Sequence, residues 1–97
     1  MQQSLELLRI RRGDIIAAAE RHGATSVRVF GSAARGNSTE TSDVDLLVDM
    51  GDTTTLFDRA ALMVELRTML GCDVDVVTVK VLKPRVREHV LSEAIAL

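Results

Sequence analysis

The chain has no tryptophan and no tyrosine, and among its 97 residues it has only two phenylalanines (Phe30 and Phe57), one cysteine and one proline. Each shortage removes a class of function. Single-stranded nucleic acid is commonly held by stacking bases on aromatic side chains, and two phenylalanines are a poor platform, so direct nucleic-acid binding is not expected. Cys72 alone can form neither an internal disulfide nor a cysteine-based zinc site, and it suits a reducing compartment. No apolar run approaches the roughly 20 residues that span a bilayer. The N-terminal stretch MQQSLELLRIRR carries charges where a signal peptide needs an apolar core. A soluble, cytoplasmic protein without a membrane partner is the expectation. A net charge of −2 argues against a general polyanion binder. What is left is the composition of one small globular domain over residues 1–97, with a real but thin core.

The pattern of apolar residues orders this domain. Ser4 to His22 reads as a helix, with Leu5, Leu8, Ile15, Ile16 and Ala19 at helical spacing and a kink or break expected near Gly13-Asp14. Gly23 ends it. His22 is then a cation in the last turn, complementing the helix dipole. Ser26 to Phe30 is a first strand, Ser32 to Gly36 has room for one helical turn, and Asn37 to Ser42 is loop. Val44 to Met50 is a second strand, with Asp43, Asp45 and Leu47 on one face and the apolar set Val44, Leu46 and Val48 on the other. Thr55 with Asp58 forms a capping pattern that starts a helix at Leu56. Its apolar stripe is read as Leu56, Ala60, Met63, Val64, Leu66 and Leu70, ending at Gly71. Asp73 to Val79 is a third strand, Lys80 to Lys83 a connector, and Pro84 opens a last helix carrying Val86, Val90, Leu91 and Ile95. The expected fold is α/β (α+β): a small three-stranded mixed sheet packed with helices.

In such a fold the second strand, its helix and the third strand form a right-handed βαβ unit with parallel strands. Both strands begin with acids, so Asp43, Asp45 and Asp75 come to one sheet edge. A first strand antiparallel to the second delivers Gly31-Ser32 to the same edge. Three close carboxylates repel unless a cation joins them. All-oxygen ligands suit magnesium, with manganese as the substitute, and two ions can polarise a phosphate and activate an attacking oxygen. Gly31 permits close approach of backbone to ligand, and Ser32 offers a hydroxyl and backbone N–H groups to a phosphate. Arg35, a turn later, is either a solvated loop residue or a further charge on the same phosphates. The set reads as a nucleoside triphosphate and metal site for phosphoryl or nucleotidyl transfer. Asp73 shares a face with Asp75, and periodicity does not choose between them.

Gly31-Ser32, ten residues, then Asp43-Val44-Asp45 resembles the G-S-x(10)-D-x-D signature of the DNA polymerase β-like nucleotidyltransferases. FGSAARG (Phe30 to Gly36) and DVDLLV (Asp43 to Val48) resemble the family's forms of the two elements, and Asp75 in DVDVVT matches its third carboxylate. The tail LKPRVREHVLSEAIAL (Leu82 to Leu97) is similar to the closing helix of the minimal nucleotidyltransferases (MNT), the antitoxin partners of HEPN toxins. The resemblance covers nearly the whole chain beyond the first helix, and it implies the polymerase β-like nucleotidyltransferase fold. It assigns Gly31 and Ser32 to the triphosphate, with Arg35 as a weaker candidate. Asp43 and Asp45 would bind Mg2+ (two ions, or Mn2+), and Asp75 would bind metal and help deprotonate the acceptor hydroxyl. It implies an enzyme that moves AMP from ATP to a tyrosine of a cognate HEPN RNase toxin, in a hetero-oligomer, and so neutralises it.

This chain has no tyrosine, so a tyrosine acceptor must come from another molecule; self-modification could use only Ser or Thr. Two other functions compete: an antitoxin that works by occlusion alone, and a small-molecule nucleotidyltransferase, for which the chain offers little acceptor pocket. His89 has no acid at metal spacing and reads as a surface or interface residue, and Cys72 as a small hydrophobe. Lys80, Lys83, Arg85 and Arg87 form either a solvated face or a docking surface for an acidic partner.

Overall fold

The computed structural model describes residues 5–36 and 43–97. The elements run α1 (Leu5–Ile10), α2 (Arg12–Arg21), β1 (Ala24–Phe30), α3 (Ser32–Arg35), β2 (Val44–Met50), α4 (Leu56–Leu70), β3 (Val74–Thr78), a 3-10 turn (Val79–Val81), α5 (Pro84–Glu93) and β4 (Ile95–Ala96). The predicted loop from Asn37 to Ser42 and the predicted helix start at Ser4 lie outside the described residues.

The four strands form one mixed sheet in the order β3-β2-β1-β4. β1 is antiparallel to β2, and β2 is parallel to β3 with α4 as the crossover. Valine-rich strands and a leucine-rich helix explain the layering. Val29, Val44, Leu46, Val48, Val74 and Val76 from the sheet join Leu8, Ile15, Ala18 and Ala19 of the N-terminal helices and Leu62, Leu66 and Leu70 of α4 in one buried cluster. Each fully buried Leu, Ile or Val contributes about 1.5–3 kcal/mol. The expected apolar face of β2 is therefore the core face. Leu47, on the acids' face, is buried as well, so the centre of β2 is covered on both sides, as a near-continuous apolar run permits.

Several expectations are corrected. The sheet has four strands rather than three: Ile95, read as helical, begins β4, which pairs with Arg28 and Val29 of β1. α5 instead stops at Glu93, and Ala94 is already extended. The first helix breaks at Arg11 rather than at Gly13, which lies inside α2. The Arg11 guanidinium donates to the Met69 carbonyl at 2.5 Å, a tertiary contact that the local pattern does not encode. The stripe of α4 is Leu62, Leu66 and Leu70, one residue per turn. Leu56 and Val64, placed on it by the sequence, are 74% and 60% exposed, and Ala60 is exposed too. The boundaries of α4 do match, because they are chemical. Thr55 and Asp58 form a reciprocal capping box, and Gly71 ends the helix in the left-handed conformation. β3 stops at Thr78, one residue early, where the 3-10 turn begins.

His22 ends α2, and its Nε2 lies 2.7 Å from Glu65 Oε2 on α4. Arg21 pairs with the same carboxylate, which is held below the usual carboxylate range by its hydrogen bonds to Arg21 and His22. The two helices are thereby tied across the core face. Among the described residues no helix is long and apolar enough to cross a membrane.

Candidate active site

Two strand registers build the site. In the parallel pair, Val44 lies beside Val74 and Asp45 beside Asp75, and the Val44 N–H donates to the Asp73 carbonyl at 2.9 Å. In the antiparallel pair, Phe30, the last residue of β1, lies beside Asp45. Laterally paired residues share a face. Asp45 and Asp75 therefore stand side by side, and Asp43, two residues before Asp45, points to their side by alternation. The turn Gly31-Ser32 follows Phe30 directly, at the same edge. All the residues singled out by the sequence (Gly31, Ser32, Arg35, Asp43, Asp45 and Asp75) thus come from three adjacent strand ends. Asp73 occupies the next register position toward the edge, where its charge acts on Cys72. It is Asp75 whose charge acts on Asp45.

Gly31 has φ 74° and ψ −151°, a conformation open in practice to glycine alone. A Cβ added there would run into Asp45 Oδ2. The turn thus brings its backbone directly against the central carboxylate. α3 then runs only from Ser32 to Arg35, closed by Gly36 in the left-handed conformation. Ala33 is buried beneath it, whereas Arg35 is exposed.

Burial pushes the Asp45 carboxyl above the usual carboxylate range. Repulsion from Asp75 and Asp43 adds to this, the nearby Arg35 guanidinium offsets part of it, and Glu93 adds a smaller repulsion. Asp43 and Asp75 are exposed, and Asp45 is half-buried. The donor set, three carboxylates on one face with the middle one strained by its neighbours, is the chemistry that a hard divalent cation relieves. As their side chains lie, no three His, Cys, Asp or Glu groups among the described residues stand at ligand spacing. The flanking acids Asp43 and Asp75 are solvent-facing, and the donor type, carboxylate oxygen throughout, is the one a hard divalent cation takes.

Sequence reasoning missed Glu93. It is the last residue of α5, and it meets the glycine turn at the end of β1. Its Oε1 accepts the Gly31 N–H at 3.1 Å and an Arg35 Nη1 hydrogen at 2.5 Å. Nothing local marks it, because its position depends on β4 drawing the end of α5 alongside β1. A cavity of about 320 Å3 lies at the opposite end of β2 and β3, lined by Met50, Leu56, Arg59, Thr78 and Val81 among others, and it contains none of the site residues. The basic cluster is not a uniform free face. Lys80 pairs with Asp52 at 2.5 Å, and Arg87 donates to the Leu82 carbonyl, while Lys83 and Arg85 are exposed.

The comparisons with known proteins bear on the family and the fold. Residues 15–97 match the family model described as "Nucleotidyltransferase domain". The protein adenylyltransferase MntA of Thermococcus cleftensis is 40% identical over 76 residues, which cover 78% of this chain and 77% of the relative. A solved structure described as a "putative minimal nucleotidyltransferase" is 50% identical, covers 98% of this chain and 97% of its own, and superposes with a TM-score of 0.88. The structure of a tri-AMPylated Shewanella oneidensis HEPN toxin in complex with MNT antitoxin shares the fold, with a TM-score of 0.70, 21% identity, and coverage of 91% of this chain and 69% of that one. The chain belongs to the nucleotidyltransferase-domain family, and it is a nucleotidyltransferase enzyme.

Proposed function

We propose that this enzyme is a magnesium-dependent protein adenylyltransferase. It transfers AMP from ATP to a tyrosine of a partner HEPN toxin and thereby acts as the antitoxin. The observation that carries the reading is the pairing of Asp45 with Asp75 across β2 and β3, with Gly31 packed against Asp45. The T. cleftensis relative is named a protein adenylyltransferase, and the Shewanella complex holds a tri-AMPylated HEPN toxin. This chain has no tyrosine, so a tyrosine acceptor comes from a second molecule.

The site residues divide the work. Gly31 and Ser32 hold the triphosphate through backbone N–H groups and the Ser32 hydroxyl, and Arg35 adds charge to the same phosphates. Asp43, Asp45 and Asp75 would hold magnesium, which when bound would supply positive charge to the phosphates and lower the cost of ionising the acceptor. Asp75, exposed at the edge of the sheet, takes the proton of the acceptor hydroxyl. The acceptor oxygen attacks the α-phosphorus, a new P–O bond forms, the α–β bridging bond breaks and pyrophosphate leaves.

The test is to incubate the chain with the product of its neighbouring gene, ATP and magnesium, and to read intact masses. Added AMP on the partner is expected, and it should be lost in the Asp43→Asn, Asp45→Asn double variant. An unmodified partner would refute the reading. Full protection of cells by the double variant would assign neutralisation to binding alone.

A further inference from the structure

Two of the groups assigned to the triphosphate, the Gly31 N–H and the Arg35 guanidinium, are already engaged. The one backbone hydrogen that Gly31 possesses is donated to Glu93 Oε1, and the same oxygen accepts from Arg35. The carboxylate is 82% shielded as a side chain, at 18% exposure, whereas Arg35 is 53% exposed. Its second oxygen lies 3.5 Å from His89 Nε2, one turn back on α5. A backbone N–H makes one strong hydrogen bond at a time. A phosphate oxygen and the Glu93 carboxylate therefore cannot both take the Gly31 N–H, and two anions this close repel. A tie between α5 and the sheet could be made with any polar side chain. Here it is made with a fourth negative charge beside Asp43, Asp45 and Asp75, where the charge already works against Asp45.

The geometry points to Glu93 as an internal anion that occupies the nucleotide site of the free enzyme and must leave the Gly31 N–H and Arg35 before a triphosphate binds. This rests on the nucleotide-site reading above. Glu93 thus sets nucleotide affinity rather than taking part in the transfer. Its carboxylate turns toward His89 when displaced, and Arg35 is released to the phosphates.

The experiment measures equilibrium dissociation constants for inorganic tripolyphosphate and for magnesium-ATP with the wild-type chain, Glu93→Gln and Glu93→Ala. Thermal melts of each free protein check folding. The glutamine variant keeps a hydrogen-bond acceptor and loses the charge. Loss of a charge-assisted competitor should lower both dissociation constants about tenfold in Glu93→Gln, with at least as large a fall in Glu93→Ala. A purely structural tie would lower the melting temperature without tightening binding. Unchanged or weaker binding in Glu93→Gln overturns the role of Glu93 and leaves the nucleotide site standing. Absence of binding in all three proteins overturns both together.

Discussion

Replacing Asp45 by Asn should stabilise the metal-free protein. Asp45 pairs with Asp75 across adjacent strands, which sets the two residues roughly 5 Å apart, with Asp43 roughly 7 Å away along the strand. At those separations two unit charges repel by about 0.8 and about 0.6 kcal/mol even in the dielectric of water. Arg35 returns part of this, and salt screens more. Partial burial of Asp45 works the other way, since it penalises the charge further. A net gain of about 1 kcal/mol is the expectation, and for a domain of this size that is an increase of about 4–8 °C in melting temperature. Asparagine keeps the shape and relieves the charge.

The pH dependence has a definite sign. The folded-state pKa of Asp45 is raised above its ordinary value of 3.8, so the folded chain holds a proton that the unfolded chain has already lost. The contribution of this carboxyl to stability therefore falls as pH rises from about 3.8 through the raised value, and the whole penalty is present at neutral pH. The melting difference between variant and wild type should be largest at pH 7 in the presence of a chelator and should shrink toward pH 4. Added magnesium should raise the melting temperature of the wild type and leave the variant nearly unmoved. The assay is a set of thermal melts followed by circular dichroism. A variant that melts at or below the wild-type temperature at pH 7 with chelator, or a gap that grows on acidification, would refute the reasoning.

Two further substitutions probe the frame around that carboxylate. Gly31→Ala forces a side chain into a backbone conformation reserved for glycine and against Asp45 Oδ2. It should cost about 2–3 kcal/mol in chemical denaturation and abolish tripolyphosphate binding, since both the turn and Asp45 must move. Thr55→Ala removes the acceptor for the Asp58 N–H and half of the capping box of α4. It should cost about 1 kcal/mol while the proposed AMP transfer persists, because α4 caps far from the acids.

Much of the site was legible in the chain itself, because chemistry and local geometry write it there. Acids at a strand start, a Gly-Ser break after a β-branched run and a Thr-x-x-Asp cap each have a local cause. The elements they predict (β2 over Val44–Met50, α4 over Leu56–Leu70 and the short α3 after Gly31) stand where the pattern puts them. What local pattern could not supply was anything set by partners distant in sequence. The buried stripe of α4 is Leu62, Leu66 and Leu70 because the sheet lies against that side, although Leu56 and Val64 are as apolar. The helix break falls at Arg11, whose side chain reaches Met69 58 residues on.

The sequence by itself named the candidate residues of the site: Gly31, Ser32, Asp43, Asp45 and, by pattern alone, either Asp73 or Asp75. Only the tertiary structure settled how they meet. Register placed Asp75 beside Asp45, because parallel pairing with β2 aligns Val74 with Val44. The two-residue strand β4, too short to carry a period, turned the end of α5 back onto β1 and set Glu93 against Gly31 and Arg35. A hydrogen bond between residues 62 positions apart has no signature in either neighbourhood. It exists only once the chain has closed on itself.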